Sequence, residues 1–207
     1  MNEFRKRYKG PVKFTIGLEV EFVEGFEEET IRSLEKYGPR IENGLIGVHS
    51  LPVDGRYINV DYRQNIAAAA RTLGPRNLSE LYFKTMIKAV KADLGPYKPK
   101  RIAHPTMLAL YGKHFPEFHD VQELMEEFVA TVKDKGYALD LNTAGLVYPD
   151  DCQEIYGEAL LPFIKKYNVP VSLGCDAHEP ERIGDGFDRP AIQKNMRELH
   201  PVWETKV

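Results

Sequence analysis

The sequence is poor in cysteine, with only Cys152 and Cys175 in 207 residues. Two thiols cannot build a disulfide framework, and they cannot form a thiolate zinc site without other ligands. The sequence also lacks any apolar run near the roughly 20 residues that a membrane-spanning helix needs, and its first residues lack the apolar core of a signal peptide. These absences predict a protein of the cytoplasm, where thiols stay reduced.

A strong excess of one charge is also absent. The 31 acidic residues nearly balance the 28 Lys and Arg residues, for a net charge of -3, and no block of five or six like charges occurs. We therefore expect neither nucleic acid nor a membrane surface as a partner. The hydrophobic fraction of 43% is sufficient for one sizeable core, so residues 1–207 are expected to form a single domain.

Hydrophobic periodicity predicts alternating strands and helices. Apolar runs typical of strands occur at Val12–Gly17, Gly44–His49, Arg101–His104, Tyr137–Leu141 and Val169–Leu173. Helical periodicity predicts helices over Glu27–Lys36, Leu78–Leu94, Val121–Lys135, Gln153–Lys166 and Ala191–Leu199. This alternation predicts an α/β fold with a parallel sheet, which is either an open doubly wound sheet or a barrel.

Polar residues follow these apolar runs, as expected for a barrel with its chemistry at the C-terminal ends of the strands. The candidates for metal binding are Glu19, His49, His104, Asp176 and His178. Three imidazoles and two carboxylates suit Zn, Mn or Fe better than Mg or Ca. One ion or a pair could polarise a phosphoryl oxygen and activate water, which indicates phosphoester hydrolysis.

Each candidate also has a structural interpretation, because an isolated His at a strand end is more often a hydrogen-bonded residue of the scaffold. The Asp176-Ala177-His178 triplet is more specific, since residues i and i+2 can face the same side. Asn142 and Arg182 are candidates for substrate contact, Arg182 because a guanidinium pairs well with phosphate. Packing or surface charge are the alternatives for both. Asp140 shares a strand face with Asn142 and could orient a ligand.

Five segments resemble the bacterial histidinol phosphatases of the polymerase and histidinol phosphatase (PHP) superfamily in order and approximate spacing. They are Gly17–Glu21, Val48–Ser50, Ala103–Pro105, Leu141–Gly145 and Cys175–His178. The resemblance implies a distorted (β/α)7 barrel with one to three divalent ions at the strand C-termini.

That resemblance also implies hydrolysis of L-histidinol phosphate to L-histidinol and phosphate in histidine biosynthesis. The small phosphorylated substrate would meet catalytic residues His178, Asp176 and His104, with Asn142 and Arg182 binding it. The implied metal ligands are the five candidates above: Glu19, His49, His104, Asp176 and His178.

One feature of the family is missing from this sequence. The family opens with His-x-His on its first strand, whereas this chain has no His-x-His and its first histidine is His49. We therefore expect a barrel that lacks its first one or two β/α units, and a homo-oligomer that covers the exposed sheet edges. Two other functions stay open: a non-catalytic or weakly active metal-binding relative, and a phosphoesterase with another small phosphorylated substrate.

Overall fold

The computed structural model describes residues 2–147 and 155–202. In chain order the strands are β1 (Gly17–Glu21), β2 (Asn43–Gly47), β3 (Ser50–Val53), β4 (Arg56–Asn59), β5 (Arg101–Ile102), β6 (Ala138–Asn142), β7 (Pro170–Gly174) and β8 (His200–Pro201). The α-helices are α1 (Asn2–Arg7), α2 (Glu27–Tyr37), α3 (Arg63–Leu73), α4 (Pro75–Lys91), α5 (Gln122–Asp134), α6 (Leu161–Tyr167) and α7 (Pro190–Glu198).

The central sheet has six strands in the order β1-β2-β5-β6-β7-β8, and every neighbouring pair is parallel. Strands β3 and β4 form a separate antiparallel hairpin. The order of the central sheet never reverses along the chain, unlike that of a doubly wound sheet. Within the described residues β1 and β8 do not pair with each other, so the α/β fold with a parallel sheet is confirmed but closure into a barrel is not.

The prediction of a strand over Val12–Gly17 is wrong, because pairing with β2 begins only at Gly17. The apolar character of the preceding segment serves a local aromatic cluster instead. Phe14 packs edge-on against Phe4 and Tyr8 near α1, with ring centroids 5.2 and 4.9 Å away. The strand therefore follows the apolar run rather than coinciding with it.

The other four predicted strands each overlap a strand of the sheet, and the predicted helices correspond to α2, α4, α5, α6 and α7. The helix predicted over Gln153–Lys166 is reduced to α6, which begins at Leu161 after a short 3-10 turn at Glu158–Leu160. Residues 153 and 154, and Cys152 before them, lie outside the described residues.

The β3–β4 hairpin and helix α3 were not predicted. Asp54 and Gly55 turn the hairpin with φ of 48° and 74°, the left-handed conformation that two-residue hairpin loops favour. The hairpin leads directly into Asp61 and Tyr62 before α3. This insertion between β2 and β5 forms one wall of the cavity described below.

Both faces of strand β6 are buried, but they differ in chemistry. Leu139 and Leu141 point to one face and are fully buried, as is Phe128 of α5. Asp140 and Asn142 point to the opposite face, because successive side chains of a strand alternate. The sheet thus has an apolar layer on one side and a buried polar layer below the strand ends on the other.

Within the described ranges, the structure contains no helix long and apolar enough to cross a membrane. Location in the cytoplasm stays a prediction.

Candidate metal centre

Three of the predicted ligands come together at the C-terminal ends of adjacent strands. Glu19 lies on β1, His49 follows β2 by two residues, and His104 follows β5 by two residues. Since β1, β2 and β5 are neighbours in the sheet, their ends meet at one edge. One ligand atom from each of these residues lies within 4.8 Å of the other two.

The distances fit a shared cation. Glu19 Oε1 lies 2.7 Å from His104 Nε2 and 3.2 Å from His49 Nε2, and the two Nε2 atoms are 3.2 Å apart. Ligands held at about 2.0–2.2 Å from one ion lie about 3 Å apart, as these atoms do. Two imidazoles and a carboxylate are also the mixed donor set that Zn, Mn and Fe accept. The three residues therefore fit a divalent metal ion.

A carboxylate behind His49 fixes the orientation of its ring. His49 Nδ1 makes a short hydrogen bond with Glu21 Oε2, and the His49 backbone N–H donates to Glu21 Oε1 at 3.1 Å. When Nδ1–H donates to the carboxylate, Nε2 presents its lone pair to the centre of the cluster. Glu21 thus orients the His49 ring in a way that suits a metal ligand.

The backbone around the cluster has unusual conformations and a glycine that leaves space for the clustered side chains. His104 has a φ of 20°, in the left-handed region that L residues rarely adopt, and Asp176 shares this feature with a φ of 48°. Such conformations concentrate at functional sites. A Cβ at Gly47 would lie 2.7 Å from His49 Cε1 and 3.1 Å from Glu19 Oε1, so glycine at this position makes room for both ligands.

The pKa values of Glu19 and His49 are strongly shifted. Burial alone would raise the pKa of Glu19, but hydrogen bonds with His104 and His49 hold this pKa well below its ordinary value. Burial likewise tends to lower the pKa of His49, yet its hydrogen bonds to Glu19 and Glu21 raise it to about 10. The carboxylates that hold a proton on His49 would also favour a bound cation that replaces this proton.

A cavity of about 400 Å³ opens over the cluster. Asp176, His178 and Arg182 line it together with the three clustered residues. Among the described residues, Asp176 and His178 do not join the group of converging ligand atoms. The side chain of His178 is 86% exposed, and its Nδ1 donates to the backbone carbonyl of Asp176 at 2.9 Å. The structure thus brings three of the five predicted ligands together and places the other two on the cavity wall.

The two predicted substrate-binding residues differ in position. Arg182 lines the cavity, and its Nε donates to Asp185 at 3.3 Å. Asn142 is buried and is not among the described residues that line the cavity. Its amide donates to Asp140 at 2.9 Å, and its oxygen accepts from the backbone N–H of Ala144 at 2.9 Å. A direct contact between Asn142 and substrate stays a prediction.

Two residues of the site, Glu21 and Asp61, were not among the predicted site residues. Glu21 carried a signal, because it lies two residues after Glu19 on the same strand face. No sequence pattern pointed to Asp61. It lies within 3.9 Å of His49 Nε2 because the β3–β4 hairpin, which was not predicted, places it there.

Comparison with known proteins shows what the whole chain is similar to. No protein-family model matches the chain. Over 197 residues it is 28% identical to histidinol-phosphatase of Bacillus subtilis (strain 168), an alignment that covers 89% of this chain and 70% of the relative. A crystal structure from Listeria monocytogenes, assigned to the histidinol phosphatase hisK, matches with a TM-score of 0.83 and 28% identity over 92% of this chain and 73% of the other.

The resemblance to histidinol phosphatases is confirmed. A second histidinol phosphate phosphatase, from Lactococcus lactis subsp. lactis Il1403, matches with a TM-score of 0.67 over 97% of this chain and 73% of the other. Its crystal structure is a complex with Zn, L-histidinol and phosphate. At 20% identity this likeness to a histidinol phosphatase shows that the two chains share an α/β fold.

Proposed function

We propose that this chain is a metal-dependent phosphoric monoester hydrolase that converts L-histidinol phosphate to L-histidinol and phosphate. The convergence of Glu19, His49 and His104 at the floor of an open cavity carries the proposal. The named relatives indicate a phosphoric monoester hydrolase, and one of them binds Zn, L-histidinol and phosphate.

The clustered residues would hold the ion, which we expect to be Zn, Mn or Fe, with one to three ions per chain. A bound ion polarises a phosphoryl oxygen and makes a nearby water more acidic. His49 and His104 would bind it through their converging Nε2 atoms, and Glu19 would supply a negative charge that keeps the cation in place. Hydrolysis then needs no covalent bond between phosphate and the protein.

Residues on the cavity wall would bind the phosphate and donate the proton that the departing alcohol needs. Arg182 can pair with phosphate oxygens through its terminal nitrogens, because its Nε is the nitrogen that donates to Asp185. The exposed imidazole of His178 can give a proton to the departing alcohol oxygen, and Asp176 beside it can join the ligand set. We further propose that the six-stranded sheet represents most of a distorted barrel of the PHP type.

The test is phosphate release from L-histidinol phosphate with Zn or Mn supplied and then removed by a chelator. We expect turnover that the chelator abolishes, and that His49→Ala or Asp176→Ala reduces to background. Glu80→Gln, a change of one acidic residue on α4 that pairs with Lys84, is the matched control and should retain full activity. Turnover that persists after chelation or in His49→Ala would contradict the metal mechanism.

A second function, metal binding without catalysis, is favoured by one observation: three predicted ligands converge rather than five. Metal near one ion per chain, with no release of phosphate from a panel of small phosphomonoesters, would support this function. Turnover of another phosphomonoester in that panel would show that the chain is a phosphatase with a different substrate.

A further inference from the structure

We propose that Asp140 is a positioning residue for the metal ligand His104. Asp140 lies on the central strand β6 and faces the polar layer beneath the site. It is 3% exposed, and burial of a carboxylate is costly unless its charge and hydrogen bonds are used. The inference rests on the metal site of the proposed function.

Asp140 is held by residues on two strands. Its Oδ2 accepts from Asn142 Nδ2 at 2.9 Å, and its Oδ1 accepts from Ser172 Oγ at 3.2 Å. Ser172 lies directly opposite Asp140 in the β6–β7 ladder. These contacts fix the carboxylate in one place, with Oδ2 facing the backbone N–H of His104 at the end of β5.

The next strand also makes room for this carboxylate. A Cβ at Gly174 would lie 2.6 Å from Asp140 Oδ1 and 2.7 Å from Oδ2, distances that real Cβ atoms do not adopt. The φ of Gly174 is not among the positive values of the described chain, so a left-handed conformation does not explain the glycine. We infer that Gly174 provides the space that Asp140 occupies.

The carboxylate acts on His104 through the backbone. The backbone N–H of His104 donates to Asp140 Oδ2 at 3.5 Å, which is a long hydrogen bond. His104 has the left-handed φ of 20° described above. Within the described part of the chain, the buried Nδ1 of His104 has no hydrogen-bond partner.

The two histidine ligands are therefore held in different ways. His49 is oriented by the hydrogen bond between its Nδ1 and Glu21, whereas Nδ1 of His104 makes no hydrogen bond within the described residues. We infer that the hydrogen bond from its backbone N–H to Asp140 helps to hold the position from which the His104 ring reaches Glu19. Loss of the charge or displacement of the carboxylate should therefore misplace Nε2 relative to Glu19 Oε1.

The experiment measures Zn affinity by competition with a chromophoric chelator, which requires no turnover. Asp140→Asn removes the charge at constant size, and Gly174→Ala displaces the carboxylate but keeps its charge. We expect each variant to weaken Zn binding by about 10- to 100-fold, the usual effect of losing a group that orients a ligand. Ser79→Ala, which removes a buried hydrogen bond to Phe118 away from the site, is the control for lost stability and should bind Zn as the wild type does.

A double-mutant cycle separates this role from general damage. In an Asp140→Ala background, Gly174→Ala should have no further effect on Zn affinity, because no carboxylate remains to be displaced. Additive losses, or wild-type affinity in both Asp140→Asn and Gly174→Ala, would overturn the inference. Phosphate release tests the proposed function separately: a wild type that binds Zn and releases no phosphate contradicts that function while the affinities still decide the role of Asp140.

Discussion

At the scale of single residues, the contact between Glu21 and His49 supports the proposed metal site. Glu21 contacts both the ring and the backbone of His49, so the ring is oriented before any ion arrives. Carboxylates in this position typically raise the basicity of the ligand and fix its tautomer.

We predict that Glu21→Gln lowers Zn affinity by about 10- to 100-fold, although the new amide keeps the size of the side chain. The reason is that the amide lacks the charge that attracts the His49 Nδ1 proton. Competition with a chelator measures this loss. Glu29→Gln, which breaks an exposed pair with Arg32 on α2, serves as the control, and equal affinities of the two variants would contradict the prediction.

The sequence identified His49 and His104 because each follows a strand, and strand ends of a parallel sheet share an edge. It identified Glu19 because this residue follows an apolar run, and the structure places Glu19 within β1. The same argument predicted Asp176 and His178, which reach the cavity but not the cluster. Sequence spacing does not specify side-chain direction after a strand has ended. His178 illustrates this limit, because its ring turns back to the carbonyl of Asp176.

At the scale of secondary-structure elements, Lys98 ends helix α4 in an unusual way. Its ammonium donates to the carbonyls of Ala89, Val90 and Ala92 at 2.7, 2.9 and 2.7 Å, respectively, and the residue is 4% exposed. The last carbonyls of a helix have no partners within the helix, and a cation there also offsets the helix dipole. Burial, together with the nearby charge of Lys100, lowers the pKa of Lys98 to about 8.

This pKa predicts a pH-dependent contribution to stability. Between pH 8 and the ordinary Lys pKa near 10.5, the unfolded chain binds more protons than the folded one, so the stabilising contribution of Lys98 increases with pH. We expect the free energy of unfolding of the wild type to increase relative to that of Lys98→Met by up to about 1.4 kcal/mol per pH unit in this window. Denaturant unfolding at pH 7.5, 8.5 and 9.5 measures the difference. A constant difference would show that the carbonyl contacts keep the ammonium charged.

The order of strands and helices could be predicted because their hydrophobic periods differ, and α2, α4 and α5 agree closely with expectation. The hairpin β3–β4 was missed although Asp54-Gly55 is a strong turn signal, because its strands are short and Pro52 interrupts one of them. The start of β1 was misplaced because apolar residues before it pack on α1 rather than in the sheet. Hydrophobic periodicity indicates which residues are buried, but it does not indicate whether they pack in the sheet or against a helix.

At the scale of the whole molecule, the metal site connects three strands. Glu19 lies on β1, and the two histidines follow β2 and β5. Along the chain, helix α2 separates β1 from β2, and the β3–β4 hairpin with helices α3 and α4 separates β2 from β5. A ligand that binds only the folded state stabilises it by an amount set by its concentration relative to its dissociation constant. A bound ion therefore adds to global stability.

We predict that Zn at 100 times its dissociation constant increases the free energy of unfolding by about 2.7 kcal/mol. The increase should disappear in His49→Ala, which removes one of the converging ligands. Thermal unfolding with and without Zn measures it. An equal increase in His49→Ala would show that the stabilising ion binds elsewhere.

Strand β1 is the end of the described sheet and pairs there with β2 alone, yet it carries Glu19, the ligand with the negative charge. Edge strands open more readily than central ones, because half of their backbone groups have no partner in the sheet. His49 and His104 stand at the ends of more interior strands. The lifetime of a bound ion should consequently follow the opening rate of β1, so that this edge of the sheet would act as the kinetic gate for metal exchange.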